Sequence, residues 1–267
     1  MKRSVMILSL LTFMPVWVTA NASESVARDI IEAVNAREDG DSVSRDATFE
    51  LTDRRGITRV EKTTGYRKYF GDEKRTVIFY TEPSNVRGTG FLTWDYPEAE
   101  TEDDQWLYLP ALGKVRRISA SDRGDYFLGT DLTYEEIKKE NKIEIDDYHF
   151  QVVGEGTVDG VAVTEVEAIP VNEAVARELG YSRIVLSVDR DISMSRQSEY
   201  WDVNGNHLKT IHNTGIQQID GIWTVTEVTV VNHKTDHKTR LVFDNIDYQS
   251  EVPDRTFNRQ MLERGLR

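Results

Sequence analysis

Apolar and polar residues alternate with the two-residue period of half-buried strands over most of this chain. Strand-like runs cover Ala47–Asp53, Ile57–Phe70, Lys74–Thr81 and Arg87–Trp94, separated by the turns Arg54-Arg55-Gly56 and Gly71-Asp72-Glu73. Within them Val77-Ile78-Phe79-Tyr80 is apolar throughout and reads as buried on both faces. A second set covers Tyr148–Glu155, Val161–Ile169, Arg183–Asp189, Met194–Asp202, His207–Thr214, Gly215–Ile219, Ile222–Asn232 and Arg240–Tyr248. Asn204-Gly205 gives the sharpest hairpin signal. Helical spacing is confined to a few places. Val26, Ile30, Ile31 and Val34 share one face of a helix over Glu24–Asn35, and Asn172–Leu179 ends at Gly180 as a C-cap would. A short terminal helix carrying Phe257, Met261 and Leu262 follows Pro253-Asp254.

About ten or eleven consecutive antiparallel strands with few helices predict a mainly β fold whose sheet curls on itself. A closed barrel and a half-barrel plugged by helices both satisfy the pattern. No Pro/Ser-rich linker or change of composition divides residues 23–267, so one domain is expected.

The first 22 residues read differently. Met1-Lys2-Arg3 is basic, Val5 to Val18 is mostly apolar, and Ala20-Asn21-Ala22 has the small-residue spacing of a signal-peptide cleavage site, with Val18-Thr19-Ala20 as a second choice. The apolar run falls short of the ~20 residues of a membrane span. Residues 1–22 are therefore expected to be cleaved, leaving a soluble periplasmic protein. The chain has no cysteine, which excludes a lipoprotein signal, disulfides and thiolate metal sites. Its formal charge is −13, and loss of Lys2 and Arg3 with no acid takes this to −15. Nucleic acid and anionic membrane surfaces are poor partners for such a chain.

Candidate chemistry is sparse. His233 and His237 are four apart, but Val228–Val231 and Leu241–Phe243 flank them as strands, which makes the segment a hairpin tip rather than a metal-binding helix face. His207 and His212 are an odd number apart on one strand and face opposite sides. The acid groups around Glu100–Asp104 and Glu144–Asp147 read as solvated loops. There is no Gly-x-Ser-x-Gly elbow or phosphate-binding loop. No catalytic residue, metal or cofactor is expected. Asp131, or Thr130 before it, is a candidate N-cap for a helix starting at Leu132.

Two segments carry a resemblance. Trp106-Leu107-Tyr108-Leu109-Pro110-Ala111-Leu112-Gly113-Lys114-Val115-Arg116-Arg117-Ile118 reads as two short strands around a turn, and Gly129-Thr130-Asp131-Leu132-Thr133-Tyr134-Glu135-Glu136-Ile137 as a turn opening a helix. With Pro83 and Arg87-Gly88-Thr89-Gly90-Phe91-Leu92 before them, they resemble the periplasmic outer-membrane lipoprotein-sorting family, the LolA-like proteins, in the branch found beside large lipid exporters. The resemblance implies a half-barrel whose concave face is covered by the helix Glu24–Asn35 and a lid, Gly129–Glu140. It also implies a monomeric carrier of lipid or acylated protein cargo, supplied by an inner-membrane lipid exporter, without enzymatic activity. Phe91, Trp94, Leu107, Leu109 and Arg117 are then candidates to line the cargo cavity or contact the lid. So are Tyr126, Phe127, Leu128, Leu132, Tyr134 and Ile137. The lid-locking arginine of the dedicated lipoprotein chaperones has two candidate positions, Arg59 and Arg67, and this departure favours a lipid other than a lipoprotein. A sensor of misplaced lipoproteins on the same fold, and a secreted hydrolase, are the alternatives.

Overall fold

The computed structural model describes residues 17–98 and 101–265, so most of the expected leader lies outside the described residues. Its fold is one large, open antiparallel sheet laid down in two meanders. The first runs outward through β1 (Ser42–Thr52), β2 (Thr58–Phe70), β3 (Glu73–Glu82), β4 (Gly90–Asp95), β5 (Asp104–Leu109) and β6 (Lys114–Ile118). The second starts at the opposite edge with β7 (Tyr148–Val158) and works back through β8 (Val161–Pro170), β9 (Tyr181–Asp189), β10 (Met194–Asp202) and β11 (His207–Thr214). After a two-stranded ribbon, β12 (Gln217–Ile219) and β13 (Ile222–Thr224), it ends with β14 (Glu227–Asn232) and β15 (His237–Asp247). β15 pairs with β1, which joins the meanders into thirteen strands with β6 and β7 as free edges. Residues 119–147 therefore have to travel from one edge of the sheet to the other. That connection crosses the concave face, and it is the lid.

The sheet has more strands than the expected ten or eleven, and one expected strand also divides. Ile222–Asn232, continuous by alternation, breaks after Thr224, where Thr226 Oγ1 donates to the Gly215 carbonyl at 2.9 Å and leaves β12 and β13 as a separate ribbon.

Four helices occur among the described residues. α1 spans Trp17–Asn35, so the expected helix extends back through Ala20-Asn21-Ala22. It buries Ala27, Ile30, Ile31 and Val34 in the concave core. Ala27 takes the place on this face expected for Val26, which is 48% exposed. Each of the three larger side chains contributes ~1.5–3 kcal/mol by leaving water. α2 (Tyr134–Lys139) lies in the lid, and α3 (Glu173–Leu179) is capped by Asn172 and closed by Gly180 at φ 82° as expected. α4 (Arg259–Arg264) and the turn before it pack on the convex face, where Val252, Phe257 and Leu262 cover Val77, Phe79, Leu92 and Trp106. The apolar run in β3 is thus buried on both faces, Val77 and Phe79 under the C-terminal tail and Tyr80 in the concave core. Among the described residues no helix is long and apolar enough to cross a membrane.

Candidate functional site

The lid closes over the sheet through a tight turn. Phe127 N–H donates to the Leu132 carbonyl at 2.7 Å, and Thr130 N–H to the Phe127 carbonyl at 2.9 Å. Leu128 and Gly129 take φ 45° and 82°, the positive values of a type I′ turn, which explains the glycine. α2 begins with a capping box: Glu136 N–H donates to Thr133 Oγ1, and Thr133 N–H to Glu136 Oε2. The expected cap, Asp131, has another task because the helix starts two residues later. Its Oδ2 accepts from Thr239 Oγ1 at 2.7 Å and lies 2.6 Å from His237 Nδ1, while its N–H donates to Thr239 Oγ1 at 2.9 Å. The lid turn is thereby tied to β15. His233 instead stacks on His207 with ring centroids 4.3 Å apart, so the two histidines of the β14–β15 hairpin serve different neighbours.

One buried cation completes this side. Lys209 on β11 has no exposed surface. Its Nζ donates to the Asp131 carbonyl at 2.9 Å and to Glu136 Oε2 at 2.7 Å, and it lies 5.1–5.5 Å from the ring centres of Tyr126, Tyr181 and Tyr200. Tyr181 OH donates to Glu136 Oε1 at 2.8 Å. Burial pushes the Lys209 ammonium pKa down against the opposing pull of the Glu136 carboxylate. The cation that holds a lid carbonyl is therefore Lys209. Neither arginine proposed for that role reaches one: Arg59 pairs with Glu61 at 2.7 Å, and Arg67 donates to the Asp39 carbonyl.

On the other side of the lid the anchors are ionic. Glu140, just past α2, pairs with Arg45 of β1. Lys139 pairs with Asp95 of β4 at 2.8 Å and with Glu144 at 2.7 Å, and Lys74 adds a second cation to Asp95 at 3.2 Å. Lys138, only 2% exposed, pairs with Asp103 and with Glu135. Burial alone would push the Asp95 carboxyl up, but Lys74 and Lys139 outweigh it and hold it at about 2. Glu140 is likewise held at about 2, because Arg45 and Arg67 overcome the cost of its burial.

Gly124, at the start of the lid segment, lies against the end of α3. A β-carbon there would overlap the Glu178 carbonyl oxygen and lie 2.8 Å from the Leu179 carbonyl carbon. Gly124→Ala is expected to cost ~1–3 kcal/mol, as overpacking of a close contact does, and to lower the melting temperature by several degrees. An unchanged melt would show that this approach does not fix the lid's base.

Between lid and sheet lies a cavity of ≈ 160 Å³ that opens to solvent. Phe49, Ile184, Leu186, Ile211, Val228 and Leu241 give it an apolar side, and Arg37, Arg45, Arg67 and Lys142 mark a cationic end. Its size is close to the ~150 Å³ apolar cavity that holds one benzene. As it stands it shelters a fragment of an acyl chain, and a whole chain requires the lid to move.

The candidate residues fall into four groups. Leu132 and Ile137 line the cavity. Phe91, Phe127 and Tyr134 form an edge-on and tilted aromatic cluster, 5.1–5.7 Å between centroids, in the same core as Leu107, with Leu109 and Leu128 packed against it. Tyr126, 41% exposed, accepts from Asn232 Nδ2 at 3.1 Å. Trp94 and Arg117 correct the expectation, because strand alternation sends both to the convex face. Trp94 stacks edge-on against Trp106 and donates to the Phe257 carbonyl at 3.1 Å; Arg117, opposite Trp106 in the register, is exposed and pairs with Asp104 at 2.9 Å. The polar residues that hold the lid, Lys209 above all, were missing from the expected set.

A family model described as that of an uncharacterized protein matches residues 72–264. A DUF1329 family protein from Desulfovibrio piger superimposes with a TM-score of 0.82 at 28% identity, over 90% of this chain and 99% of that one. The chain belongs to the family of that model, which spans well over half of it. It is also similar to a domain from Vibrio parahaemolyticus named for outer membrane lipoprotein sorting, at 26% identity and a TM-score of 0.81 over 90% and 99% of the two chains. A LolA superfamily protein from Nitrosomonas europaea shares the fold, with a TM-score of 0.65 at 20% identity over 88% and 98%. The half-barrel of the sequence resemblance is thus the fold observed. No curated protein matches the chain.

Proposed function

We propose that this protein is a periplasmic carrier that shelters the acyl chains of a lipid or lipoprotein beneath its lid. The observation that carries the reading is the cavity itself, set between an open curved sheet and a cover held by discrete polar contacts. Moving an acyl chain through water means hiding methylenes at ~0.8 kcal/mol each, so one long chain needs over ~10 kcal/mol of shelter. A concave sheet face supplies that surface, since every second side chain of each strand points into it. A lid tied by separable hydrogen bonds and ion pairs can exchange those ties for cargo contacts, which a continuous sheet cannot do. The lipoprotein-sorting name of the Vibrio relative supports the same reading. In this account cargo arrives from an inner-membrane exporter, leaves toward the outer membrane, and is carried by a monomer after cleavage of residues 1–22.

The test is mass spectrometry of protein purified from its native periplasm, intact and after organic extraction. A stoichiometric lipid or acylated peptide is expected. A ligand-free protein that also fails to take up a fluorescent fatty acid after delipidation would remove the carrier reading.

A further inference from the structure

Four adjacent strands place polar side chains on one transverse row of the concave face. The register sets Arg67 of β2 opposite Thr76 of β3, Thr76 opposite Thr93 of β4, and Thr93 opposite Gln105 of β5. None of the four is more than 4% exposed. Each carries an atom with no hydrogen-bond partner: Arg67 Nε, Thr76 Oγ1, Thr93 Oγ1 and Gln105 Oε1. Arg67 Nη1 lies 3.1 Å from Asp39 Oδ2, yet without the alignment of a hydrogen bond. The neighbouring inward rows behave otherwise. Ile78, Phe91 and Leu107 form an apolar row on one side, and Lys74 with Asp95 forms a paired one on the other.

Buried polar groups in native proteins are nearly always partnered, and each exception calls for an explanation. Packing does not supply one here, since valine in place of either threonine would fill a strand position equally well. A ligand does. Arg67 and Thr76 line the cavity, together with Arg37, Arg45 and Lys142. Facing these four cations are Asp39 and Glu140, and they are shared: Asp39 between Arg67 and Lys142, Glu140 with Arg45. The other carboxylates that line the cavity are held elsewhere, Glu135 by Lys138, Glu136 by Lys209, Glu144 by Lys139 and Asp147 by Arg123. This end of the cavity thus keeps an excess of positive charge in a chain of net charge −13.

We infer that the Arg67–Thr76–Thr93–Gln105 row is a headgroup subsite for an anionic amphiphile, whose carboxylate or phosphate oxygens accept from Arg67 Nε–H and the Thr76 hydroxyl. The inference rests on the carrier reading and adds to it the charge and the seat of the headgroup. The acyl chain leaves this seat along the apolar side, toward Ile184, Leu186 and Ile211. Charge-assisted hydrogen bonds from an arginine are the strong kind and select an anion over a neutral group of the same size. Strand spacing makes the row about 14 Å long, enough for Thr93 and Gln105 to meet hydroxyl or ester groups beyond the charge once the lid lifts.

The experiment compares palmitate with methyl palmitate, two ligands with the same acyl chain, for binding to the delipidated full chain at pH 8. Palmitate is expected to bind at least ~10-fold tighter. In Arg67→Met the preference should vanish while the ester still binds. Thr76→Val guards against a folding defect at Arg67: it should narrow the preference several-fold while the ligand-free protein melts no lower than wild type, because an unpartnered hydroxyl has been removed. Equal binding of both ligands by the wild type would overturn the headgroup subsite and leave the carrier reading standing. Binding of neither would remove the carrier reading itself. Inorganic phosphate binding as tightly as palmitate would assign the row to a free anion and overturn the inference as well.

Discussion

Lys209→Met should lower the stability of the protein by ~3–5 kcal/mol, the usual cost of removing one partner from a buried ion pair. Methionine keeps the length and most of the volume of the side chain, so the loss comes from charge and hydrogen bonding rather than from a void. Glu136 would keep its bonds to Thr133 N–H and Tyr181 OH but would lose the cation 2.7 Å away, and the Asp131 carbonyl would lose its donor. Both losses fall on the lid, so its amides between Tyr126 and Glu140 should exchange with deuterium faster than those of the sheet. Uptake of an acyl probe should quicken for the same reason, since less of the binding energy is used to displace the cover. Pairing the substitution with Glu136→Gln removes the stranded charge and should restore a large part of the stability. A loss below ~1 kcal/mol with unchanged lid exchange would show that Lys209 is a packed core residue and not a latch.

Much of the scaffold was legible from residue spacing. The buried face of α1, the caps of α3 and the double burial of β3 follow from periodicities and end signals that depend on nearest neighbours in sequence. The lid's position came from resemblance, yet the topology explains it: the chain must cross from edge strand β6 to edge strand β7, and the concave face lies between them. What stayed hidden depends on partners distant in sequence. A lysine in a strand reads as a solvent-facing residue. Only the register, which puts Lys209 opposite Asn232 and brings Glu136 over it, shows why it is buried. Parity could have done better for Trp94 and Arg117, because Trp94 lies three residues from inward-facing Phe91 and must face away from it. The polar row from Arg67 to Gln105 is invisible in any single strand, since each contributes one unremarkable residue to it.

Acid should release the opposite side of the lid. Asp95 and Glu140 are held at about 2, against ordinary values of 3.8 and 4.5. A carboxyl whose folded pKa is depressed gives its stabilisation fully above the unfolded value and loses it as pH falls through the folded one. The window is therefore pH ~4.5 down to ~2. Each group contributes on the order of 2–3 kcal/mol by this linkage, less for Glu140, whose side chain is 23% exposed and partly screened by water. Urea unfolding at pH 7 and pH 3 should then differ by about 2–4 kcal/mol from these two sites. Asp95→Asn should be less stable than wild type at pH 7 and should lose less on going to pH 3, because the titrating group is gone, while at both pH values Lys74 lacks its carboxylate and Lys139 keeps only Glu144. If wild type and Asp95→Asn lose the same stability over this interval, the ion pairs of Asp95 are not what acid breaks. The Asp131 side of the lid is held instead by Lys209 and by the hydrogen bonds to Thr239. Lid amides near Glu140 should consequently exchange faster at pH 3 before those near Asp131 do, so that the cover opens from its β1 side first.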